Sequence, residues 1–589
     1  MPPFRFSLLL LLLALLSCES DAVEEQSYAT DNLVAFSQLY GYVRFFHPST
    51  AAAELDWDKF AAYGSERVAG AQTPDELAAE LQRLFQPVAP SLVVGREGTV
   101  DTTSVLPLAA NTDYTFWQHR GVDLGLDRNG GAYESKRVHV RGGVLRDSLF
   151  DAVPERSVLI KPLARNLVCR LQLVLPTETG EKNENSASLA ELKSAMADFT
   201  FGPDSLGTRL ANVIITYNVF QHFYPYFDVV EVDWPGELRE ALTRSLADST
   251  RADHLTTLRR MTAPLADGHL QVRAPYAPYY PPIYWEWIND TLTVTRVADT
   301  TLPIRVGQVV TGVEGMSVEA SFDSLRQTIS AGTRGWRDYR SQRASLEGEK
   351  DTPITIEVEG TTDTLYRDVI PNQYYPLTKI DQPAHRSYPS GIAYVNLDLI
   401  SMDDLRALFP ELQRANGLIF DLRGYPNGNH ELIPHLLPQA DTTSAWMQIP
   451  QFVYPDREPP ITYSERNWID FMQPRQPFLG DKPVVFLTDG RAVSYAESYL
   501  GFIDNYNLAT IVGQPTAGAN GNVNILQLPG DIWITFTGMR VTKHDGSQLH
   551  GVGITPDVFV KRSVRGVTQG RDEILEAGLQ RLRSQLLSE

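Results

Sequence analysis

The chain has 589 residues, of which 43% are hydrophobic and 21% charged, and it carries a net charge of −20. That length accommodates several globular domains with sizeable cores. The acidic balance excludes nucleic acid and anionic membrane surfaces as main partners, because both would repel it.

Arg5 precedes a nearly unbroken apolar run from Phe6 to Leu16. The run is too short to span a bilayer comfortably, and residues 1–18 read as a signal peptide. It closes on "LLSC", Leu15 to Cys18, which resembles the lipobox of bacterial lipoproteins. Leu16 is less usual there, and an ordinary signal peptide containing a cysteine is the plainer alternative. The lipobox implies lipidation of Cys18 and a chain exported and anchored to the bacterial cell envelope, on either face of the outer membrane. Residues 19–29 are acidic and polar, as a tether is. With Cys18 lipidated, Cys169 has no partner, and a buried thiol is expected there.

An internal repeat organises the next part. "LYGYVRFFHPSTAAAELDW" (Leu39 to Trp57) and "TYNVFQHFYPYFDVVEVDW" (Thr216 to Trp234) align at one constant offset. Tyr40, Phe46, Pro48, Asp56 and Trp57 match Tyr217, Phe223, Pro225, Asp233 and Trp234, and the match runs ungapped to Pro87 and Pro264. The spacing of apolar residues predicts helix–loop–helix units over 30–94 and 205–273. The second copy ends in "PLADGHLQV"; His269 stands there where the first copy has Leu92.

Between the copies, residues 95–190 alternate in short runs such as "KRVHVRGGVL" and predict a β-rich domain. Its role is open at this point: a carbohydrate- or peptide-binding module, or more simply a spacer. "TETGEKNENSAS" (Thr177 to Ser188) reads as a linker or exposed loop. Over 283–372, strand-like alternation surrounds "IRVGQVVTGVEGMSV", which resembles a PDZ domain of the protease-associated type. Such domains bind extended peptides by strand addition; a degenerate copy used only for packing is the other reading. Residues 386–564 alternate strand and helix, which predicts a mostly parallel sheet with its site at the carboxyl ends of the strands. A helix closes the chain over 565–589. The fold class is therefore multidomain α/β: a mostly parallel core, a PDZ-like β domain, helical N-terminal repeats and a β-rich insert.

In this core "GLIFDLRGYPNG", "LTDGRAVSYAES", "IVGQPTAGANG" and "HGVGITPDV" follow one another. Their order resembles the tail-specific (C-terminal processing) serine peptidases and the related tricorn-core peptidases, over most of Thr208 to Val560. The resemblance implies a ClpP/crotonase-like core and a serine endopeptidase acting on peptides or protein tails. Ser494 matches the nucleophile. A serine at a strand-to-helix turn projects into the positive end of a helix, where developing negative charge is favoured. Its bland alternative is a helix cap, with Glu497 completing a capping box.

A serine hydroxyl needs a base. The tail-specific branch uses a lysine at the turn that here reads "TAGANG", and no lysine lies between Lys482 and Lys543. His269, in a "DGH" element similar to that of the tricorn branch, is the base the resemblance implies. Imidazole titrates near neutrality and can pass the serine proton to a leaving amine. The third member is less defined. His550 stands where an acid aligns, so Glu497, one turn after Ser494, is the expected orienting acid; Asp267 lies close to His269 in sequence. His550 is expected to assist substrate binding or polarise the site. The oxyanion amides are expected from Tyr495 and from Asn427 or Gly428, in a turn lacking the family's first glycine. Asp421 and Arg423 are expected to pin that turn, and Asp557 to serve as a turn residue. No HExxH, paired-ligand, P-loop or Rossmann spacing occurs, so no metal or cofactor is expected. A catalytically weak or inactive ligand-binding protein on the same scaffold, and an esterase, are the alternative functions.

Overall fold

A computed structural model describes residues 27–101, 113–125, 131–177, 187–200, 202–443, 446–466, 468 and 472–587. The signal segment, Cys18, residues 19–26 and the linker residues 178–186 lie outside the described residues. No helix among the described residues is long and apolar enough to cross a membrane.

The two repeat copies share three helices and a terminal strand in the same order; the short helix Thr50–Glu54 belongs to the first copy alone among the described residues. Residues 27–46 form a helix, as do Leu206–Phe223. Trp57–Ala69 and Trp234–Ala247 follow, each capped by an aspartate: Asp56 accepts from the Lys59 amide and Asp233 from the Gly236 amide. Pro74–Phe85 and Arg251–Thr262 come next, capped by Thr73 and Thr250. Each such cap satisfies an otherwise orphan amide and contributes about 1 kcal/mol. The copies end in short strands, Val93–Arg96 and Gln271–Arg273. Their apolar faces share one core with the β strands of the region between them. Cys169 is fully buried in that core and unpaired, and burial pushes its thiol up to about 12.

The catalytic-type sheet has six strands among the described residues, five of them parallel. In sequence order its parallel strands are Ile392–Asn396, Gly417–Asp421, Val484–Thr488, Thr510–Gly513 and Val558–Phe559. The buried runs "IAYVN", "GLIFD" and "VVFLT" read as strands covered on both faces, and they are. Helices Met402–Arg414 and Tyr495–Asn505 cover one face, and Glu573–Leu586 covers the other. Arg423 bonds Asp421 at 2.6 Å and Asp572 at 2.7 Å, tying the end of a central strand to the C-terminal helix.

Two hairpins of the 386–564 segment leave this sheet. Met447–Phe452 and Thr462–Arg466 join a seven-stranded sheet with Tyr114–Arg120 and Glu134–Arg141 of the β-rich region. Val523–Leu528 and Ile532–Thr537 pair instead with Gln271–Arg273. Alternation along a chain marks a strand but not its partner, so sequence reading placed these hairpins in the core. Residues Ala187–Asp198 form a helix, the first four of which fall within the segment that sequence reading gave to the β-rich domain.

In the PDZ-like region, Val310–Val313, Met316–Ser317, Pro353–Val358 and Thr361–Tyr366 make a four-stranded sheet. Helix Arg334–Leu346 meets the core backbone to backbone. A Cβ on Gly335 would come 2.9 Å from the Gly490 Cα, and one on Gly332 would come 2.6 Å from the Gly551 Cα. A cleft of about 510 Å³ opens along this seam.

Candidate active site

The strand Val484–Thr488 ends at "DGRAVS", and the chain turns into helix Tyr495–Asn505. Ser494 sits at the helix entrance with φ 57° and ψ −110°. A non-glycine residue in that region costs about 1–3 kcal/mol and persists only where its surroundings impose it. Here they do: the Ser494 amide donates to the Ala519 carbonyl at 2.9 Å and to Glu497 Oε2 at 3.3 Å.

Glu497 is fully buried beneath this turn. Its Oε1 accepts from Thr516 Oγ1 at 2.5 Å and the Gly518 amide at 2.7 Å; its Oε2 also accepts from the Ala519 amide at 2.9 Å. Burial nonetheless pushes the carboxyl up to about 7. Its oxygens are thus spent on the two turns that carry Ser494 and Ala519, and none of its hydrogen bonds reaches His269. The expectation that Glu497 orients the imidazole is corrected: one helical turn beyond the serine, the carboxylate points back under the loop.

The carboxylate that does reach the imidazole is Asp267. It is fully buried, accepting the His269 amide at 2.9 Å and the Thr537 amide at 2.6 Å. Thr537 Oγ1 lies 2.8 Å from Asp267 Oδ1 and 2.8 Å from His269 Nδ1. Asp267 accepts from the hydroxyl, so its oxygen faces Nδ1 as an acceptor, and Nδ1 carries the proton. That leaves Nε2 as the basic nitrogen. Nε2 is buried without a hydrogen-bond partner. Burial lowers the imidazole pKa, Asp267 opposes this and Arg340 adds to it. Thr537 was not legible in the sequence: it lies far along the chain on an ordinary alternating strand.

The turns that carry His269 and Ser494 come together at Gly268 and Ala519. A Cβ on Gly268 would lie 2.6 Å from that of Ala519, whose carbonyl holds the Ser494 amide. The "TAGANG" turn, lacking the lysine, is thus packed directly against the histidine element. No hydrogen bond joins Ser494 to His269 in this geometry.

The expected oxyanion turn lies beside the serine. The Tyr425 ring meets Tyr495 edge-on at 5.6 Å. The Tyr495 phenol contacts His430 Nδ1 at 2.7 Å. The Asn427 amide is bonded to the Leu397 carbonyl at 2.9 Å, which removes it as an oxyanion donor. Gly428, at φ 66° with open space around it, keeps an exposed backbone. Tyr495 holds the first helical position, where amides lack intrahelical partners. His550 is 3% exposed and stacked on Tyr226 at 3.8 Å. It is buried behind His269 rather than presented to a substrate, and burial lowers its pKa. Asp557 accepts the Ile511 amide at 2.8 Å, as a structural residue does. Among the described residues no group of three or more His, Cys, Asp or Glu side chains is arranged to hold a metal.

Residues 391–560, which include Ser494 and the parallel strands of the six-stranded sheet, match the family model of peptidase family S41. A carboxyl-terminal-processing protease from Synechocystis sp. is 24% identical over 248 residues, covering 40% of this chain and 55% of that protein. A carboxy-terminal-processing protease from Bartonella bacilliformis is 26% identical over 250 residues, covering 39% and 52%. The chain spans about half the length of the curated relatives it matches. Among solved structures, mature CPAF superposes with a TM-score of 0.54 at 15% identity, covering 65% of this chain and 98% of that one. CPAF complexed with lactacystin gives 0.54 at 14% identity, covering 65% and 99%. At that identity the likeness is one of fold.

Proposed function

From a peptidase S41 domain with a strained serine beside a buried imidazole, we propose that the chain is a serine endopeptidase cleaving peptides or protein tails through an acyl-enzyme. Ser494 attacks the scissile carbonyl. His269 Nε2 takes the hydroxyl proton and returns it to the leaving amine. Asp267, acting through the Thr537 hydroxyl, fixes the tautomer and stabilises the imidazolium as it forms. The Tyr495 and Gly428 amides receive the oxyanion; one such donor is worth about 3–4 kcal/mol in the transition state. The observation that carries this reading is the Asp267–Thr537–His269 chain, because it leaves a buried, unpartnered Nε2 next to the turn that presents Ser494.

The PDZ-like region holds an extended substrate along the seam with the core. Cys18 carries a lipid that anchors the protein to the cell envelope; metabolic fatty-acid labelling that persists in Cys18→Ala would rule this out. The test of the chemistry is labelling of the purified protein with a fluorophosphonate. Labelling is expected in the wild type, absent in Ser494→Ala and steeply reduced in His269→Ala. A folded wild type that never labels, with or without peptide present, would overturn the reading in favour of a binding scaffold.

A further inference from the structure

The two halves of the chain do more than repeat; equivalent residues meet each other. Gly41 and Asn218 hold the same place in the two copies, and a Cβ on Gly41 would overlap the Asn218 amide. Phe46 stacks on its counterpart Phe223 with ring centroids 6.0 Å apart and planes 15° apart, and Phe45 meets its counterpart His222 at 6.0 Å. Residues that touch their own counterparts lie on a twofold axis.

The sheets give the same axis. Tyr114–Arg120 pairs antiparallel with Met447–Phe452, as Arg120 with Gln451 and His119 with Phe452. Each of these strands carries one longer and one short partner of its own half: Glu134–Arg141 and Leu175–Pro176 on the first, Thr462–Arg466 and Arg540–Val541 on the second. Each copy's terminal strand takes a hairpin. Val93–Arg96 pairs with Leu167–Gln172, which pairs with Val158–Leu163. Gln271–Arg273 pairs with Ile532–Thr537, which pairs with Val523–Leu528. The second half differs by what is inserted between these shared elements: the PDZ-like region and the six-stranded sheet.

The first half also reaches the site. Tyr133 is buried within the core of the peptidase domain. Its phenol donates to the Asn522 carbonyl at 2.6 Å. That carbonyl also accepts the Gly538 amide at 3.2 Å, at the mouth of the hairpin where Val523 pairs with Thr537. The Tyr133 ring fills the space over Gly538, where a Cβ would come 2.5 Å from it. A second contact lies beside it: Asn524 Nδ2 donates to the Val122 carbonyl at 2.8 Å. The residue that holds His269 is therefore seated by a side chain from the other half.

We infer that residues 27–177 are a built-in second subunit, a copy without the base folded about an internal twofold axis onto the half that has it, and that Tyr133 is a positioning residue for Thr537 and His269. The surface that could pair with a second chain along Met447–Phe452 is taken in cis by Tyr114–Arg120. The part concerning Tyr133 rests on the peptidase reading; the architectural part does not.

Two measurements on the full chain test it. A specific protease site is placed between residues 178 and 186, cut, and the product followed by light scattering. One particle with the mass of a single chain, at every concentration, is expected both before and after cutting. Halves that separate, or an uncut chain that dimerises and loses labelling on dilution, would overturn it. Tyr133→Phe keeps the ring and removes only the O–H. Its fluorophosphonate inactivation rate constant is expected to fall about 3–10-fold, with the probe's binding constant unchanged and thermal unfolding close to wild type. A wild-type rate constant in Tyr133→Phe, or a fall matched by lost fold, would overturn the positioning role. If Ser494→Ala still labels, the peptidase reading fails while the light-scattering result stands on its own.

Discussion

At the place of His269 the first half of the chain holds Leu92, 1% exposed. The strand registers make Leu171, which is fully buried, the counterpart of Thr537. The same helices, caps and hairpins thus support apolar packing in one half and a hydrogen-bonded Asp267–Thr537–His269 chain in the other. What differs is a small set of side chains and the inserted sheet that brings Ser494 to them. The scaffold alone confers no chemistry. It fixes backbone positions at which Pro90, Leu92 and Leu171 of one half stand where the other half has the hydrogen-bonded Asp267, His269 and Thr537.

Making the second half resemble the first is the sharpest way to break that comparison. His269→Leu removes the base at a site whose counterpart already accepts leucine, so the protein should fold while fluorophosphonate labelling falls about 10²–10⁴-fold, the range of a general base. Glu497→Gln sets an amide NH2 against backbone N–H donors under the serine turn. Urea unfolding should show a loss of about 2–3 kcal/mol, the cost of leaving buried donors unpaired. Thr537→Val keeps the shape and breaks the relay; turnover should fall about tenfold or more with KM unchanged, since the imidazole loses its tautomer control but not its place.

The converse change should give nothing chemically. Leu92→His places an imidazole opposite Leu171 without a partner, at a cost of about 1–3 kcal/mol in stability and with no new labelling. The smallest effect concerns pH. A base must be neutral to act, and burial lowers the pKa of His269. The acid limb of the rate profile should therefore fall below pH 6.5, the ordinary histidine value, and Asp267→Asn should move it lower still by removing the charge that opposes the shift.

Much of this was readable in the chain. The repeat, the parallel core and the strand-to-helix position of Ser494 all follow from local periodicity and turn chemistry, which neighbouring residues encode. His269 could be found because "LADGHL" resembles the histidine element of the tricorn branch and the first copy has Leu92 at its place. The acid could not be found that way. Glu497 has the right spacing for a capping carboxylate and Asp267 the right proximity to His269, and nothing local decides between them. The hydroxyl that decides comes from Thr537, and the tyrosine behind it from residue 133.

The sequence by itself determined the repeat pattern, the parallel core and the strand-to-helix position of Ser494, because each depends on interactions within a few turns of chain. The tertiary structure alone decided which strands pair, which carboxylate is linked to the imidazole and which sheet the β-rich region joins. Those outcomes depend on contacts between segments hundreds of residues apart, such as Thr537 with Asp267 and Tyr133 with Asn522. A hydrogen bond across such a distance leaves no periodicity in the chain; it exists only once two sheets and two helical copies have closed around it.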